Sequence, residues 1–267
     1  MNMDTAYENR AFIPDGDAYP DKWESAAQSW REVEHAVGRA WLNLAYGEGA
    51  RQGMDIFLPA GAAKGLVFFI HGGYWRMFDR KTWSHLAAGA TERGWAVAMP
   101  SYTLAPDARI AEITVEMAHA LNAAAGKVGG PIVVTGHSAG GHLAARMICG
   151  DVPLDTDVAK RIHRCVPISP VADLRPMLET KMNADFQMDL AAAEAESPVL
   201  ISDVRDVPVT VWVGSEERPA FLDQARWLAE AWENADLRIA PGRHHFDVIE
   251  ELEQPDSPLM DALLGGL

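Results

Sequence analysis

Ile132-Val133-Val134-Thr135-Gly136-His137-Ser138-Ala139-Gly140 passes from a continuous apolar run into the pattern Gly-x-Ser-x-Gly, and Ala144-Ala145-Arg146-Met147-Ile148 continues it as an apolar helical run. An unbroken apolar run is what a strand buried on both faces needs. A tight turn between strand and helix demands small residues on either side of the serine, whose own backbone is forced into an unfavourable region. The hydroxyl is then raised above the sheet edge, beside a helix N-terminus whose free amides attract developing negative charge. Ser138 is thereby a candidate nucleophile. A Gly-rich helix start with a capping serine is the plainer reading, and the position after a buried strand argues against it.

Comparable runs recur outward from this stretch. They are Trp41–Tyr46, Met54–Leu58, Leu66–Ile70, Trp95–Met99, Cys165–Ile168, Val209–Val213 and Leu237–Ala240, with Ile132–Thr135 among them in chain order. Between them lie helically spaced apolar residues such as Ile113, Met117, Ala120 and Leu121, or Phe221, Ala225, Leu228 and Trp232. Alternation of this kind predicts an α/β fold: an eight-stranded, mostly parallel sheet with helices on both faces. The first two runs have no helix between them, only a stretch opening Gly47-Glu48-Gly49, so they are expected to form an antiparallel hairpin at one edge. No repeat or long linker divides residues 1–267, and one domain is expected. Val171–Leu200 holds no convincing strand and is expected to be a small cap-like insertion, with residues 1–40 as an N-terminal arm on the same face.

Composition narrows the partners. A hydrophobic fraction of 48% and a charged fraction of 23% over 267 residues are ordinary for a globular chain with a sizeable core. The net charge of −15 repels phosphate backbones and anionic headgroups, so no nucleic acid and no membrane surface is expected as a partner. Only Cys149 and Cys165 are present, too few for a disulfide framework or a thiolate zinc cluster. The first residues lack a basic stretch followed by an apolar one, and no run reaches the roughly 18 residues of a membrane span. A cytoplasmic protein acting on a small molecule is expected, with a homodimer as the candidate assembly.

His71-Gly72-Gly73-Tyr74-Trp75 closes the Leu66–Ile70 run, and paired glycines there let backbone amides approach a reacting carbonyl. This resembles the His-Gly-Gly oxyanion loop of α/β-hydrolases. The chain as a whole resembles the arylformamidase (kynurenine formamidase) and esterase group of that superfamily. Four stretches carry the likeness: the aromatic loop just quoted, Ser101-Tyr102-Thr103-Leu104-Ala105-Pro106-Asp107, the elbow around Ser138, and Asp173-Leu174-Arg175-Pro176 with Ser197-Pro198. The resemblance implies the amides of Gly73, Tyr74 and Ala139 as oxyanion donors, with His71 bracing the loop.

It also implies the order Ser, acid, His, with the histidine after the last strand. There the chain reads Pro241-Gly242-Arg243-His244-His245-Phe246, and His245 matches the family better than His244. The acid belongs after Val209–Val213, in Gly214-Ser215-Glu216-Glu217; the family spacing selects Glu217, with Glu216 as the alternative. His137 and His142 are expected to pack around the elbow. The metal-dependent formamidases need a His-x-x-x-His-x-Asp cluster that this sequence lacks, so neither metal nor cofactor is expected.

The implied reaction is hydrolysis of a small aryl formamide, N-formyl-L-kynurenine by resemblance, through an acyl-enzyme. Tyr74, Trp75, Phe78, Met177 and Phe186 are the expected apolar wall for the aromatic leaving group. A carboxylesterase for short acyl esters is the alternative. A ligand-binding module on a hydrolase fold is the third, and the presence of all three residue types argues against it.

Overall fold

Leu66-Val67-Phe68-Phe69-Ile70 is buried at every position. Such a run is stable as a strand only when both faces are covered. In the computed structural model, which describes residues 2–267, Phe68 and Ile70 enter one core while Val67 and Phe69 enter another on the opposite face. The strands are β1 (Ala40–Ala45), β2 (Gly53–Phe57), β3 (Leu66–Ile70), β4 (Ala96–Pro100), β5 (Ile132–His137), β6 (Ile162–Ile168), β7 (Val209–Gly214) and β8 (Ala235–Ala240). They form one sheet in the order β1-β2-β4-β3-β5-β6-β7-β8. β1 and β2 are the antiparallel edge, β2 runs antiparallel to β4, and every pairing from β4 to β8 is parallel.

The helix Ile110–Ala125 buries Ile113, Met117, Ala120, Leu121 and Ala124, one stripe at helical spacing, against the first core. The helices Ala139–Arg146 and Pro219–Ala231 share that face. Trp23 from the helix Tyr19–Ala36 and Leu259 and Leu263 from the helix Pro258–Leu264 close the other. Short strands buried between helical layers place the C-terminal ends of β3, β5, β6 and β7, with the loops that leave them, at one rim of the sheet. Ligand sites of open α/β sheets gather at that rim.

Val171–Leu200 folds into short helical turns, Arg175–Glu179, Asn183–Phe186, Leu190–Ala195 and Pro198–Leu200, without a strand. The N-terminal segment crosses the same rim: Asp4 accepts from the Lys181 N–H at 2.7 Å, and the Arg218 guanidinium donates to the Thr5 carbonyl at 3.1 Å. Among the described residues, no helix is long and apolar enough to cross a membrane.

Candidate active site

Ser138 stands at the junction of β5 and the helix Ala139–Arg146 with φ 57° and ψ −119°. A non-glycine residue held there costs about 1–3 kcal/mol, which the surroundings must supply. They do so through the Ser138 N–H, which donates to the Ile168 carbonyl at 2.9 Å, and through the His142 N–H, which donates to the Ser138 carbonyl at 3.0 Å. The flanking glycines are fixed by space. A Cβ on Gly136 would lie 2.3 Å from the Gly140 carbonyl oxygen, and one on Gly140 would lie 2.0 Å from that of Ile70.

The loop after β3 lies directly on this elbow. A Cβ on Gly72 would come within 3.1 Å of the Ser138 Cβ. The next residues run through the left-handed region, with φ 111° at Gly73, 51° at Tyr74 and 55° at Trp75. Among the described residues, the amides of Gly73, Tyr74 and Ala139 donate to no protein acceptor. Three free N–H groups thus lie on the elbow and on the loop packed against it, as an oxyanion hole would require. His71 braces the loop from below. Its ring stacks on Tyr102 at 4.3 Å, and the Tyr102 hydroxyl donates to the His71 carbonyl at 3.0 Å. Burial pushes His71 down to about 4, so it stays neutral.

Glu217 and His245 meet across 28 positions of sequence. The His245 Nδ1–H donates to Glu217 Oε2 at 2.6 Å, and the carboxylate side chain is wholly buried. Its other oxygen accepts from the Gly214 N–H at 2.9 Å and from the Ser169 hydroxyl. A buried carboxylate held by three donors is fixed in place and is positioned to orient the imidazole. Ser169, at the end of β6 with φ 48°, is a member that sequence reasoning missed. Glu216 points to solvent. His244 is engaged elsewhere: Nδ1 accepts the Phe246 and Asp247 amides at 3.1 and 3.2 Å, and Nε2 lies 3.2 Å from the Tyr19 hydroxyl.

His137 packs its ring 4.6 Å from that of His245, and burial holds it well below the usual histidine value. It therefore adds no positive charge beside His245. His142 turns away, its Nε2–H donating to the Glu196 carbonyl at 2.7 Å beneath the helix.

Ser138, His137 and His245 open on a cavity of about 500 Å³ whose walls include Gly73, Tyr74, Phe78, Trp83 and Phe246. Tyr74 and Phe78 therefore stand where an apolar wall is expected. Three other expected wall residues do not. Trp75, Met177 and Phe186 have no exposed surface and do not border the cavity. Trp75 packs edge-on against Phe186 at 5.6 Å and His142 at 5.1 Å, so these side chains are core filling beneath the loop. Their place is taken by the N-terminal segment: Asp4, Tyr7, Glu8, Asn9 and Trp23 line the cavity, joined by Lys181 and Met182. Among the described residues, no group of three or more His, Cys, Asp or Glu is placed to hold a metal ion.

The family model for the alpha/beta hydrolase fold matches residues 67–245. Kynurenine formamidase of Danio rerio is 28% identical over 255 residues, covering 90% of this chain and 86% of that one. The Drosophila melanogaster kynurenine formamidase is 28% identical over 251 residues, covering 86% and 82%. Among solved structures, a candidate thioesterase from Silicibacter sp. TM1040 superposes with a TM-score of 0.96 at 54% identity, covering 98% of this chain and 99% of that one. Esterase B from Lactobacillus rhamnosis shares the fold at a TM-score of 0.67 and 18% identity, over 92% of each chain.

Proposed function

On the premise that this chain belongs to the α/β-hydrolase family and is a hydrolytic enzyme, we propose that it cleaves a small aryl formamide through Ser138, His245 and Glu217. N-formyl-L-kynurenine is the substrate that its kynurenine formamidase relatives suggest. The observation that carries the reading is the buried Glu217–His245 pair, whose histidine borders the same cavity as the strained Ser138 and the Gly73–Tyr74 loop with its free amides.

Ser138 Oγ attacks the formyl carbon while His245 Nε2 takes its proton. The carbonyl oxygen becomes an oxyanion held by the Gly73, Tyr74 and Ala139 amides, and Glu217 stabilises the imidazolium. Collapse of the adduct breaks the C–N bond, and His245 returns the proton to the departing arylamine nitrogen. A water deprotonated by His245 then cleaves the formyl ester of Ser138, giving formate and the free hydroxyl. The Ser138 hydroxyl makes no side-chain hydrogen bond among the described residues; the mechanism requires its bond to His245 in the substrate complex, where such catalytic contacts tighten. The formyl group needs little room, whereas the aromatic walls of the 500 Å³ cavity suit an aryl leaving group.

Short-chain esters are the alternative substrates, and thioesters join them because of the name of the 54%-identical relative. All three use the same machinery, so relative kcat/KM on an aryl formamide, a nitrophenyl acetate and an acyl thioester separates them. The proposal expects the formamide to be turned over best. A fluorophosphonate probe should label Ser138; an unlabelled protein would be a binding module and would end the hydrolytic reading.

A further inference from the structure

Tyr74 carries one of the three proposed oxyanion amides on its backbone and a tether to the N-terminal segment on its side chain. Its φ of 51° follows 111° at Gly73 and precedes 55° at Trp75, so the loop runs through three successive left-handed residues, two of them with side chains that resist it. Contacts must hold it there. From within, the Arg76 and Met77 amides both donate to the Gly73 carbonyl at 3.0 Å, and the Ala105 amide donates to the Trp75 carbonyl at 2.8 Å. The Tyr74 side chain is held from outside. Its hydroxyl donates to the Tyr7 carbonyl and accepts from Asn9 Nδ2 at 3.2 Å, both on the segment that crosses the rim.

Tyr7 is 3% exposed and is fastened at its other end. Its own hydroxyl accepts from Gln224 Nε2 at 2.7 Å, and its ring packs edge-on against Phe221 at 5.7 Å. Gln224 is fully buried: Oε1 accepts the Ala172 and Asp173 amides at 2.7 and 2.6 Å, and Nε2 also donates to the Asp173 carbonyl at 2.8 Å. Every donor and acceptor of that side chain is used, which makes it a fixed anchor. Phe221 in turn packs against the His245 ring at 4.2 Å. Tyr7 thus reaches, through one neighbour each, both the amide loop and the imidazole. Burial holds both phenols above their ordinary value, Tyr7 up to about 12, so the two hydroxyls stay protonated at any working pH. We infer that Tyr7 and Tyr74 are positioning residues: the N-terminal segment, anchored on Gln224, clamps the Tyr74 side chain so that the Tyr74 amide stays aimed at the oxyanion. The role rests on the hydrolytic reading of Ser138 and holds for a formamide or an ester alike. A rigid ring joins the clamped hydroxyl to the backbone, so freeing the hydroxyl lets a strained loop relax and the amide swing away. The oxyanion exists only after attack, and the loss therefore falls on kcat rather than on KM.

Tyr74→Phe, Tyr7→Phe and the double variant test it on formanilide and phenyl formate, with two inhibitors of one skeleton. Phenylacetaldehyde has CH2 where formanilide has N–H. Ser138 Oγ adds reversibly to its carbonyl carbon, and the serine proton passes through His245 to the carbonyl oxygen, giving a hemiacetal with no leaving group to expel. 2-Phenylethanol has no carbonyl and reports on the cavity wall alone. Tyr74→Phe keeps the ring and should lower kcat by about ten- to a hundredfold with KM within about threefold. It should raise the inhibition constant of phenylacetaldehyde by about tenfold or more and leave that of 2-phenylethanol within about twofold. Tyr7→Phe should show the same pattern at smaller size. Both hydroxyls act along one chain of contacts, so the double variant should lose no more than Tyr74→Phe alone. Thermal melts of all three variants establish that they are folded. Equal weakening of both inhibitors, an unchanged kcat in Tyr74→Phe, or a double-variant loss equal to the product of the single losses would overturn the inference. A parent enzyme that turns over neither substrate and takes no fluorophosphonate label ends the hydrolytic reading and the inference with it. Turnover of phenyl formate alone ends only the formamide reading, and the same variant pattern on that ester still sustains the inference.

Discussion

At the residue scale, the proposed triad takes Glu217 rather than its neighbour because Glu217 reaches the ring. Glu217 has its carboxylate buried against His245 Nδ1 at 2.6 Å, whereas Glu216 faces solvent. Glu217→Gln keeps the volume but removes the charge that stabilises the imidazolium, and offers an N–H where an acceptor is needed. The expected result is a fall in kcat of about two to four orders of magnitude with little change in KM, because the loss is felt in the transition state. Glu216→Gln should stay within about twofold, and Ser138→Ala should match or exceed the Glu217 loss while leaving the thermal melt almost unmoved. Steady-state kinetics of the three variants on one substrate checks the set; a crippled Glu216→Gln beside a healthy Glu217→Gln would move the acid by one residue. Much at this scale is legible in the sequence because it is local. Gly136, Ser138 and Gly140 are compelled by contacts within one strand–turn–helix. Ser169 is not legible. It reaches Glu217 only because β6 and β7 pair, and a lone serine after a strand carries no sign of that.

Among the elements, the edge hairpin does more than end the sheet. Asp55 of β2 is 1% exposed and pairs with Arg80 at 3.0 Å, and it also accepts the Asn43 amide at 2.7 Å across the β1 bulge. Arg80 reaches the Asn43 side chain at 2.6 Å, while its backbone N–H donates to the Ser101 hydroxyl at 3.1 Å. Arg51, also from the hairpin, holds the Tyr102 carbonyl at 2.8 Å and the Phe78 carbonyl. The far end of the oxyanion loop is thus tied to the sheet edge through two arginines. Asp55→Ala leaves a guanidinium buried without its counter-charge, which typically costs about 3–5 kcal/mol. Urea denaturation should show a loss of that size, together with a raised KM as the Phe78 wall loosens; a loss below about 1 kcal/mol would mean that water replaces the carboxylate. All eight strands are legible from their apolar runs, but their ends are not. β6 begins at Ile162 because exposed His163 and half-buried Arg164 alternate there, and β8 begins at Ala235 on an edge that needs no continuous apolar run. The cavity wall was the least legible part. Asn9 and Tyr74 are 65 positions apart, so no local pattern joins them, whereas Trp75, Met177 and Phe186 look like pocket residues and are core.

For the whole molecule, acid sets two opposing trends. The net charge of −15 shrinks as pH falls toward the pI of about 4.9, and relief of self-repulsion favours the compact state. Against it stand the four histidines that burial holds below their ordinary value. Burial pushes His71 and His85 down to about 4 and His142 to about 3, and holds His137 well below 6.5. The unfolded chain takes up protons on these rings as pH falls through about 6.5, and the native protein does not until near 4 or below. Between those limits the unfolded state binds more protons, so stability drops as pH drops, by at most about 1.4 kcal/mol per pH unit for each ring. Exposed charges repel through water and salt and are screened beyond about 8–10 Å, whereas each buried ring must be charged inside the core. The histidines should therefore win, and the melting temperature should fall steadily from pH 7 to pH 4.5. His85 isolates the cause because it lies away from the cavity, with its Nδ1 unpartnered and its Nε2 3.9 Å from Glu253. His85→Leu removes one titrating ring and should flatten the fall in unfolding free energy between pH 6.5 and 4.5, measured by urea melts at each pH. An unchanged slope in that variant, or a melting temperature that rises toward the pI, would show that relief of surface repulsion governs the acid response instead.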